Sequence, residues 1–333
     1  RIGAVPMAIG NPDLKWERTL TYNAGLDVVL FSNRWDMTLD WYRKVTDDLL
    51  LDVTKAPSVG TSSAKENIGK LQNNGIEFQT RVTAINNQNW NWAMSLTIQH
   101  NENKIKKISN ALKAMNEKLN AEKTLLPPPV YEEGQSISAV KAVKSGGIDP
   151  ATGQEVFLNR NGEKTYIWDP LDKVAIGDTE PKLRGAVSSA FTYKNWSVSL
   201  ACSYEFGGWW YNQTLVDKIE NSSAAYNLDR RALSHRWSEN NRNARYKAIT
   251  MTNQDTGMSS RFAQKRNELS FTSLAIGYRF DPKNFKFLQA CRIASVSLNA
   301  TMEELGRISS IRTERGLDYP FARTVAFSLG LTF

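Results

Sequence analysis

Strict alternation of apolar and polar residues is the dominant pattern along the chain. It occurs in runs at residues 21–30, 35–41, 90–99, 196–206, 274–280, 294–301 and 325–333. In the last run, Val325, Phe327, Leu329, Leu331 and Phe333 fall on one face. A period of two predicts β-strands, and strands of about ten residues can cross a bilayer at a tilt. The polar positions carry mainly Ser, Thr, Ala, Gly and Asn, which suits a crowded or water-filled interior.

The connections between these runs are of two kinds. Short ones lie at 32–33, 86–89 and 194–195, whereas long ones cover about 54–74, 103–135, 208–265 and 304–321. Short turns at one end and long loops at the other are typical of outer-membrane barrels. Aromatic residues stand beside the short turns, as in an interfacial belt: Phe31, Trp35, Trp90, Tyr193, Trp196, Phe280 and Phe333. A large soluble β-sandwich is the alternative, but its strands are usually shorter. The pattern therefore predicts an all-β transmembrane wall with long extracellular loops.

Strand direction predicts the size of this wall. Because neighbouring strands alternate in direction, the runs at 90–100 and 183–193 must be separated by an even number of strands. We expect 134–144 and 154–159 to supply two, joined by a turn at 147–153, which gives about eleven antiparallel strands. Single-chain bacterial barrels usually have an even number. The chain also opens on Arg1 without a signal peptide, so we expect residues 1–333 to be a portion of a larger barrel.

Composition and charge exclude little. Hydrophobic residues make up 41% of the chain and the net charge is +8. A basic balance raises nucleic acid as a partner, but Lys and Arg are spread among Asp and Glu, so we predict no nucleic-acid partner. Cys202 and Cys291 both fall in strand-like runs, where ordinary packing explains them.

Catalytic motifs do not stand out. The chain has no G-x-S-x-G elbow, P-loop or G-x-G-x-x-G, and His100 and His235 lack metal-ligand spacing. Asp149, Thr152 and Glu155 could be read as calcium ligands, but the full ligand loop is missing and Asp149-Pro150 favours a turn. We therefore predict neither an enzyme, nor a cofactor, nor a metal site.

One stretch changes period and offers a partner surface. Apolar residues follow one another at spacings of three and four, which is the stripe of an amphipathic helix: Ile105, Ile108, Leu112, Met115 and Leu119. By strand direction this helix belongs to an extracellular loop. Its stripe either faces a partner protein or packs against neighbouring loops.

Aromatic residues in the predicted outer loops are the candidate ligand contacts. Aromatic rings are enriched at binding surfaces, and the candidates are Trp168, Trp209, Trp210, Tyr211 and Trp237. The alternative for Trp209-Trp210 is an outer aromatic girdle, since Tyr204 and Phe206 lead into it.

Several ordered motifs resemble the SusC/RagA family of TonB-dependent outer-membrane transporters. They are Asn11-Pro-Asp-Leu-Lys-Trp-Glu17, Tyr22-Asn-Ala-Gly-Leu-Asp27, Asp40-Trp-Tyr-Arg-Lys-Val-Thr-Asp-Asp-Leu-Leu50, Asn67-Ile-Gly-Lys-Leu-Gln-Asn-Asn-Gly-Ile-Glu77, Ile176-Gly-Asp178 and Asp318-Tyr-Pro-Phe-Ala-Arg323. The resemblance covers essentially the whole chain.

The resemblance implies the C-terminal half of a roughly 22-stranded barrel in the bacterial outer membrane, in contact with its lipids. It also implies that the N-terminal plug and the remaining strands are absent from this chain. Family members import bulky nutrients, mainly oligosaccharides or peptides, with energy from TonB and with a SusD-like surface lipoprotein as partner. Two alternatives stay open: a non-energised barrel serving as a surface adhesion or assembly scaffold, and a siderophore-type TonB receptor.

Overall fold

The structure, a computed structural model, describes residues 10–54, 63–121, 123, 127–128, 130–222, 229–249, 256–281, 285, 288, 293–312 and 322–332. Nine long strands form one antiparallel sheet, the wall: β1 (Arg18–Leu30), β2 (Trp35–Thr54), β3 (Ser63–Asn86), β4 (Trp90–Ile108), β9 (Leu183–Tyr193), β10 (Trp196–Tyr211), β11 (Ala263–Phe280), β12 (Ser295–Ser309) and β13 (Thr324–Thr332). They neighbour one another in this order, and every neighbour pair in the wall is antiparallel.

A second sheet is formed by four short strands in the order β7-β6-β5-β8. These are β5 (Ala139–Ile148), β6 (Glu155–Leu158), β7 (Lys164–Thr165) and β8 (Lys173–Asp178). The helices are α1 (Asn110–Ala121), α2 (Gln213–Leu215), which continues as a π turn at Val216–Glu220, and α3 (Arg231–Ser234). Two 3-10 turns lie at Pro170–Asp172 and Ser260–Phe262. Among the described residues, no helix is long and apolar enough to cross a membrane.

The register joins the apolar positions of all nine wall strands into one continuous surface, the apolar face. One of its rows runs through Leu26, Leu39, Phe78, Ile98 and Gly185, and another through Trp196, Tyr278, Leu298 and Leu329. Its large side chains are exposed to the surroundings; Phe327, for example, is 81% exposed. The opposite surface, the polar face, carries Ser, Thr, Asn, Asp and Glu. In one of its rows Ser95 and Ser188 share a hydrogen bond of 2.6 Å. The predicted all-β wall with one apolar side is therefore confirmed.

The short turns all lie at one end of the wall. They separate β1 from β2, β3 from β4 and β9 from β10, as predicted. The aromatic belt also lies at this end. Trp90 contacts Tyr193 with ring centroids 4.1 Å apart, and Trp196 contacts Tyr278 at 4.7 Å. Phe333 of the predicted belt lies outside the described residues.

In the described residues the wall has nine strands, where about eleven were predicted. The two extra segments, 134–144 and 154–159, do form a hairpin, because β5 pairs with β6, but that hairpin belongs to the small sheet. β4 pairs directly with β9 from Trp90 to Gln99. Zero strands also satisfy the even-number requirement, so direction alone could not place the hairpin in the wall.

Strands extend further into the predicted loops than alternation indicates. β3 begins at Ser63, so more than half of the loop predicted at 54–74 is strand. β4 ends at Ile108 and takes only the first six residues of the loop predicted at 103–135. β10 and β12 likewise continue to Tyr211 and Ser309, beyond the predicted loop starts at 208 and 304. Strand extensions that leave the bilayer need no apolar face, because water or loops cover them. Their sequences therefore lose the period of two while their ladders continue.

Candidate functional site

A row of charged and amide side chains crosses the polar face. The register aligns six of them, here called the charged row: Asp40, Glu77, Gln99, Arg184, Glu205 and Glu268. Carboxylates outnumber guanidinium groups in this row. Because its members come from six different strands, only the pairing register of the sheet brings them together.

Arg266, next to the charged row on β11, forms ion pairs with two of its members. Its Nη2 atom lies 3.1 Å from Glu205 Oε2 and 3.5 Å from Glu268 Oε1. Arg184 donates from Nε to Gln99 Oε1 at 3.3 Å. These groups line an open groove of about 520 Å³ together with Ser203. Guanidinium donors and carboxylate acceptors stand side by side there, so the groove can hydrogen-bond a polar ligand or a polar segment of protein.

β9 begins at Leu183 on the loop side. Beyond this point, the small sheet occupies the space between β4 and β10. On the β4 side, Asn103 accepts hydrogen bonds from the Ile137 backbone at 2.7 Å and from Ser136 Oγ at 2.8 Å. On the β10 side, Trp209 packs against Gly177 of β8. The loops therefore rest on the wall through specific contacts on both sides of β9.

Two long excursions of the chain meet in one hydrophobic core. Val140 and Ala142 come from β5, Tyr211 is the last residue of β10, and Val216, Ile219, Met258 and Phe262 come from the segment between β10 and β11. We call the small sheet with the described part of 212–262 the loop subdomain. Backbone contacts reinforce it, since the Val143 N–H donates to the Met258 carbonyl at 3.2 Å.

A buried ionic cluster lies beside this core. Arg261 Nη2 lies 2.6 Å from Glu155 Oε2 and 2.7 Å from Glu220 Oε1, and the three side chains are 11%, 4% and 0% exposed. Burial acts to lower the pKa of Arg261, but hydrogen bonds and charges from Glu155 and Glu220 raise it above its ordinary value. Arg261 therefore stays charged and joins β6 to the π turn.

Arg236 fixes the other side of the same cluster through backbone carbonyls. Its guanidinium donates to the carbonyls of Ala232 at 2.8 Å, Glu220 at 3.0 Å and Lys247 at 3.1 Å, and also to Ile219. Burial lowers the pKa of Arg236, and the carbonyls replace the water that it loses. Buried charges are tolerated when they are hydrogen-bonded in this way.

The candidate ligand-contact aromatics fall into two groups. Trp168, Trp209 and Trp237 each pack on a glycine, namely Gly257, Gly177 and Gly153, where an added Cβ would come within 2.6 Å of the indole. The Trp168 and Trp237 ring N–H groups donate to the carbonyls of Met258 and Pro150, both at 3.0 Å. Tyr211 is 8% exposed in the core. Trp210 is 41% exposed, and the Arg266 guanidinium lies 5.5 Å from its ring centre.

The candidate partner stripe is packed against the protein itself. Ile105, Ile108 and Leu112 are 6%, 8% and 1% exposed, in a cluster with Ile68, and Met115 packs against it. Leu119 is partly exposed. The prediction that Ile105 and Ile108 are helical is wrong, because both lie in β4. Lys106 is an extra residue there: Leu71 pairs with Ile105 and Lys70 with Lys107. This β-bulge places residues three apart on one face, which imitates helical spacing.

Asp149 has the turn role that its sequence favours. Its carboxylate accepts hydrogen bonds from the Ala151 backbone at 2.9 Å, from Tyr166 at 2.7 Å and from Thr152 at 3.0 Å. These three hydrogen bonds, the backbone one foremost, lower the pKa of Asp149. Glu155, the third residue of the calcium reading, instead binds Arg261 and Ser259. Among the described residues, no three His, Cys, Asp or Glu side chains gather as metal ligands would.

Comparison with known proteins gives concordant matches. Residues 2–126 match the family model described as TonB dependent receptor-like, beta-barrel. TonB-dependent receptor P3 of Formosa agariphila is 29% identical over 300 residues, which cover 85% of this chain and 29% of that protein. TonB-dependent receptor SusC of Bacteroides thetaiotaomicron is 27% identical over 344 residues, which cover 97% of this chain and 32% of that protein.

Solved structures show the same fold. The RagAB peptide importer in its open-open state superposes with a TM-score of 0.79 at 22% identity, over 98% of this chain and 36% of that chain. The RagAB peptide transporter gives a TM-score of 0.76 at 23% identity, over 91% and 33%. This chain spans about a third of the length of the curated relatives it matches.

Proposed function

Since this chain resembles the SusC/RagA type of TonB-dependent outer-membrane receptors in sequence and in fold, we propose that it forms wall, lumen and outer loops of a TonB-dependent importer of bulky nutrients. The observation that carries the proposal is the two-sided register of the wall. An apolar face continuous over nine strands belongs against lipid, while the charged row belongs in an aqueous interior.

The energised machinery lies in other parts of such an importer. We propose that the plug and the remaining strands complete the barrel, that TonB acts through them, and that a SusD-like surface lipoprotein covers the loop side. The names of the curated relatives support TonB dependence, and the name SusC supports the lipoprotein partner. Co-purification of the complete receptor with a surface lipoprotein tests the last point.

The nutrient is proposed to be an oligosaccharide or a peptide. The RagAB structures are of a peptide transporter, which favours peptide as the first ligand to test. Within this chain, Trp210 is the aromatic contact that we retain, because it is exposed and stands beside Arg266 near the charged groove. Aromatic rings stack on sugar rings and on peptide side chains.

Uptake by cells carrying the complete receptor tests the proposal. Labelled peptides and labelled oligosaccharides are supplied to cells with and without TonB, and we expect uptake of one class that disappears without TonB. Trp210→Ala should reduce this uptake, whereas Trp196→Ala, an exposed tryptophan at the short-turn end, should not. Uptake that persists without TonB, or is absent for both classes, would refute energised import and favour the scaffold alternative.

A further inference from the structure

Across β1 to β4, the apolar face ends at one row, beyond which polar and charged residues begin. The row through Ala24, Trp41, Ile76 and His100 is the last mainly apolar one on the loop side. Beyond it, the register aligns Tyr22 with Arg43, Asn74 and Glu102, and then Leu20 with Val45, Gln72 and Lys104. Arg43 therefore stands among apolar and aromatic side chains at the boundary where polar residues begin.

Strand length places this boundary at a membrane surface. β2 begins at Trp35 beside a short turn, and a tilted strand crosses the hydrocarbon core in about 9–11 residues. Arg43 consequently lies at the level of the lipid headgroups on the loop side. Tyr22 and Trp41 flank it, as aromatic residues do at such interfaces.

A groove opens on the apolar face at this level. It has a volume of about 570 Å³. Trp41 lines its membrane side, Tyr22 and Arg43 form the next row, Leu20 and Val45 follow, and Asp47 and Lys70 stand at its loop end. The Arg43 guanidinium reaches Gln72, in the row of Leu20 and Val45, so aromatic side chains lie on the membrane side of the charged groups. This order matches an amphiphile, whose chain would lie on the aromatic side and whose headgroup would meet the charges.

Basic groups outnumber carboxylates at the loop side of the groove, with Arg18, Arg43, Lys70, Lys104 and Lys107 against Asp47, Asp48 and Glu102. Lys70 is paired with Asp47 at 3.0 Å, and Arg18 with Asp48 at 3.3 Å. Within the described part of the chain, the side-chain partner of Arg43 is the neutral Gln72, to which it donates at 3.0 Å. No carboxylate among the described residues forms a salt bridge with Arg43, Lys104 or Lys107, and Lys107 pairs with Lys70 across the ladder. This surplus complements an anionic headgroup.

We propose that this groove binds a phosphorylated lipid of the outer leaflet, with its acyl chain on Tyr22 and Trp41, on the membrane side of the groove, and its phosphate on Arg43. A guanidinium can bind a phosphate through two parallel hydrogen bonds, and Lys104 and Lys107 add long-range attraction. The assignment rests on the apolar face lying in lipid and does not depend on what the barrel transports.

The experiment uses the complete receptor, purified in detergent and stripped of lipid. It is incubated with phosphatidic acid or with diacylglycerol of the same acyl chains, and bound lipid is counted by native mass spectrometry. We expect retention of phosphatidic acid well above that of diacylglycerol. Arg43→Gln should weaken it about fivefold, since one basic residue near a lipid surface contributes about a factor of five, and Arg43→Lys should restore most of it.

Lys44→Gln is the matched control. It removes the same charge one residue away, but Lys44 lies on the polar face, with Nζ 5.2 Å from the ring centre of Tyr42. Heat-modifiable migration in gels verifies that each variant is folded. Equal weakening by Arg43→Gln and Lys44→Gln, equal retention of the two lipids, or complete displacement of phosphatidic acid by inorganic phosphate would each overturn the proposal. Transport is not measured, so failure here is separate from failure of the proposed import.

Discussion

Trp209 in the wall packs so closely on Gly177 in the small sheet that a Cβ atom at Gly177 would lie 2.2 Å from the indole ring. The contact joins β10 to β8, which have no ladder between them. Gly177→Ala should therefore push the small sheet away from the wall, at a cost of about 1–3 kcal/mol for an overpacked contact.

Hydrogen–deuterium exchange of the complete receptor checks this first prediction. Peptides from residues 139–178 should exchange faster in Gly177→Ala. Gly146→Ala is the control in the same sheet, because a Cβ there would meet Val156 at an ordinary distance of 3.6 Å. Equal acceleration in the two variants would show that the Trp209 contact does not hold the sheet.

Arg261 is predicted to hold the two loop excursions together. Arg261→Met leaves Glu155 and Glu220 buried without their cation, which costs about 3–5 kcal/mol when a buried ion pair loses one partner. Hydrogen–deuterium exchange of the backbone amides should then be faster in both segments, 139–158 and 213–222. Arg261→Lys, which keeps the charge but not the planar fork, should fall between the wild type and Arg261→Met.

Arg242→Met, at an exposed position of the same subdomain, should leave this exchange unchanged. If Arg261→Met accelerates only one of the two segments, the cluster stabilises that segment without joining the excursions.

Leu112 is predicted to anchor α1 rather than to bind a partner. It is 1% exposed beside Ile105 and Ile108, so Leu112→Ala should destabilise the docking of α1 by about 2–5 kcal/mol, as large-to-small changes in cores do. Exchange of residues 110–121 in the receptor without any lipoprotein measures this, with the exposed Lys113→Ala as control. Unchanged exchange together with reduced lipoprotein recovery would support the partner-surface interpretation instead.

Tyr211 is predicted to make the loop subdomain sensitive to alkali. Burial raises the pKa of its phenol well above the ordinary value of 10.0. A folded-state pKa above the unfolded one means that this stabilisation is complete below about pH 10 and is lost as the pH rises through the folded pKa. The ultraviolet absorbance of tyrosinate follows the titration. The absorbance that wild type gains and Tyr211→Phe does not should appear at a higher pH than the absorbance of the exposed tyrosines. If it appears near pH 10 instead, the Tyr211 phenol is not buried as described.

Local pattern was enough to predict the wall. Alternation at 21–30, 90–99 and 196–206 located strands, because a strand with lipid on one side and a polar interior on the other must alternate. The short turns at 32–33 and 194–195 were also predicted, since turn residues act locally. These features, with the ordered motifs from Asn11 onward, were sufficient for the family resemblance and the outer-membrane location.

The placement of the loops was decided only by tertiary contacts. Whether the hairpin of β5 and β6 joins the wall depends on β4 pairing with β9, and the sequence of the hairpin carries no trace of that choice. The spacing of Ile105 and Ile108 fits a helix and a bulged strand equally well, and the partner strand β3 selects the bulge.

The sequence by itself thus determined the all-β class, the sidedness of the strands and their limits at the short-turn end, because each follows from neighbours a few residues apart. Only the tertiary structure brought Glu155, Glu220 and Arg261 into one cluster and placed Arg43 in a groove on the apolar face. The partners in these sites are far apart along the chain and are joined by register and loop packing. Such contacts leave no periodic signal, because their energy depends on which strands become neighbours.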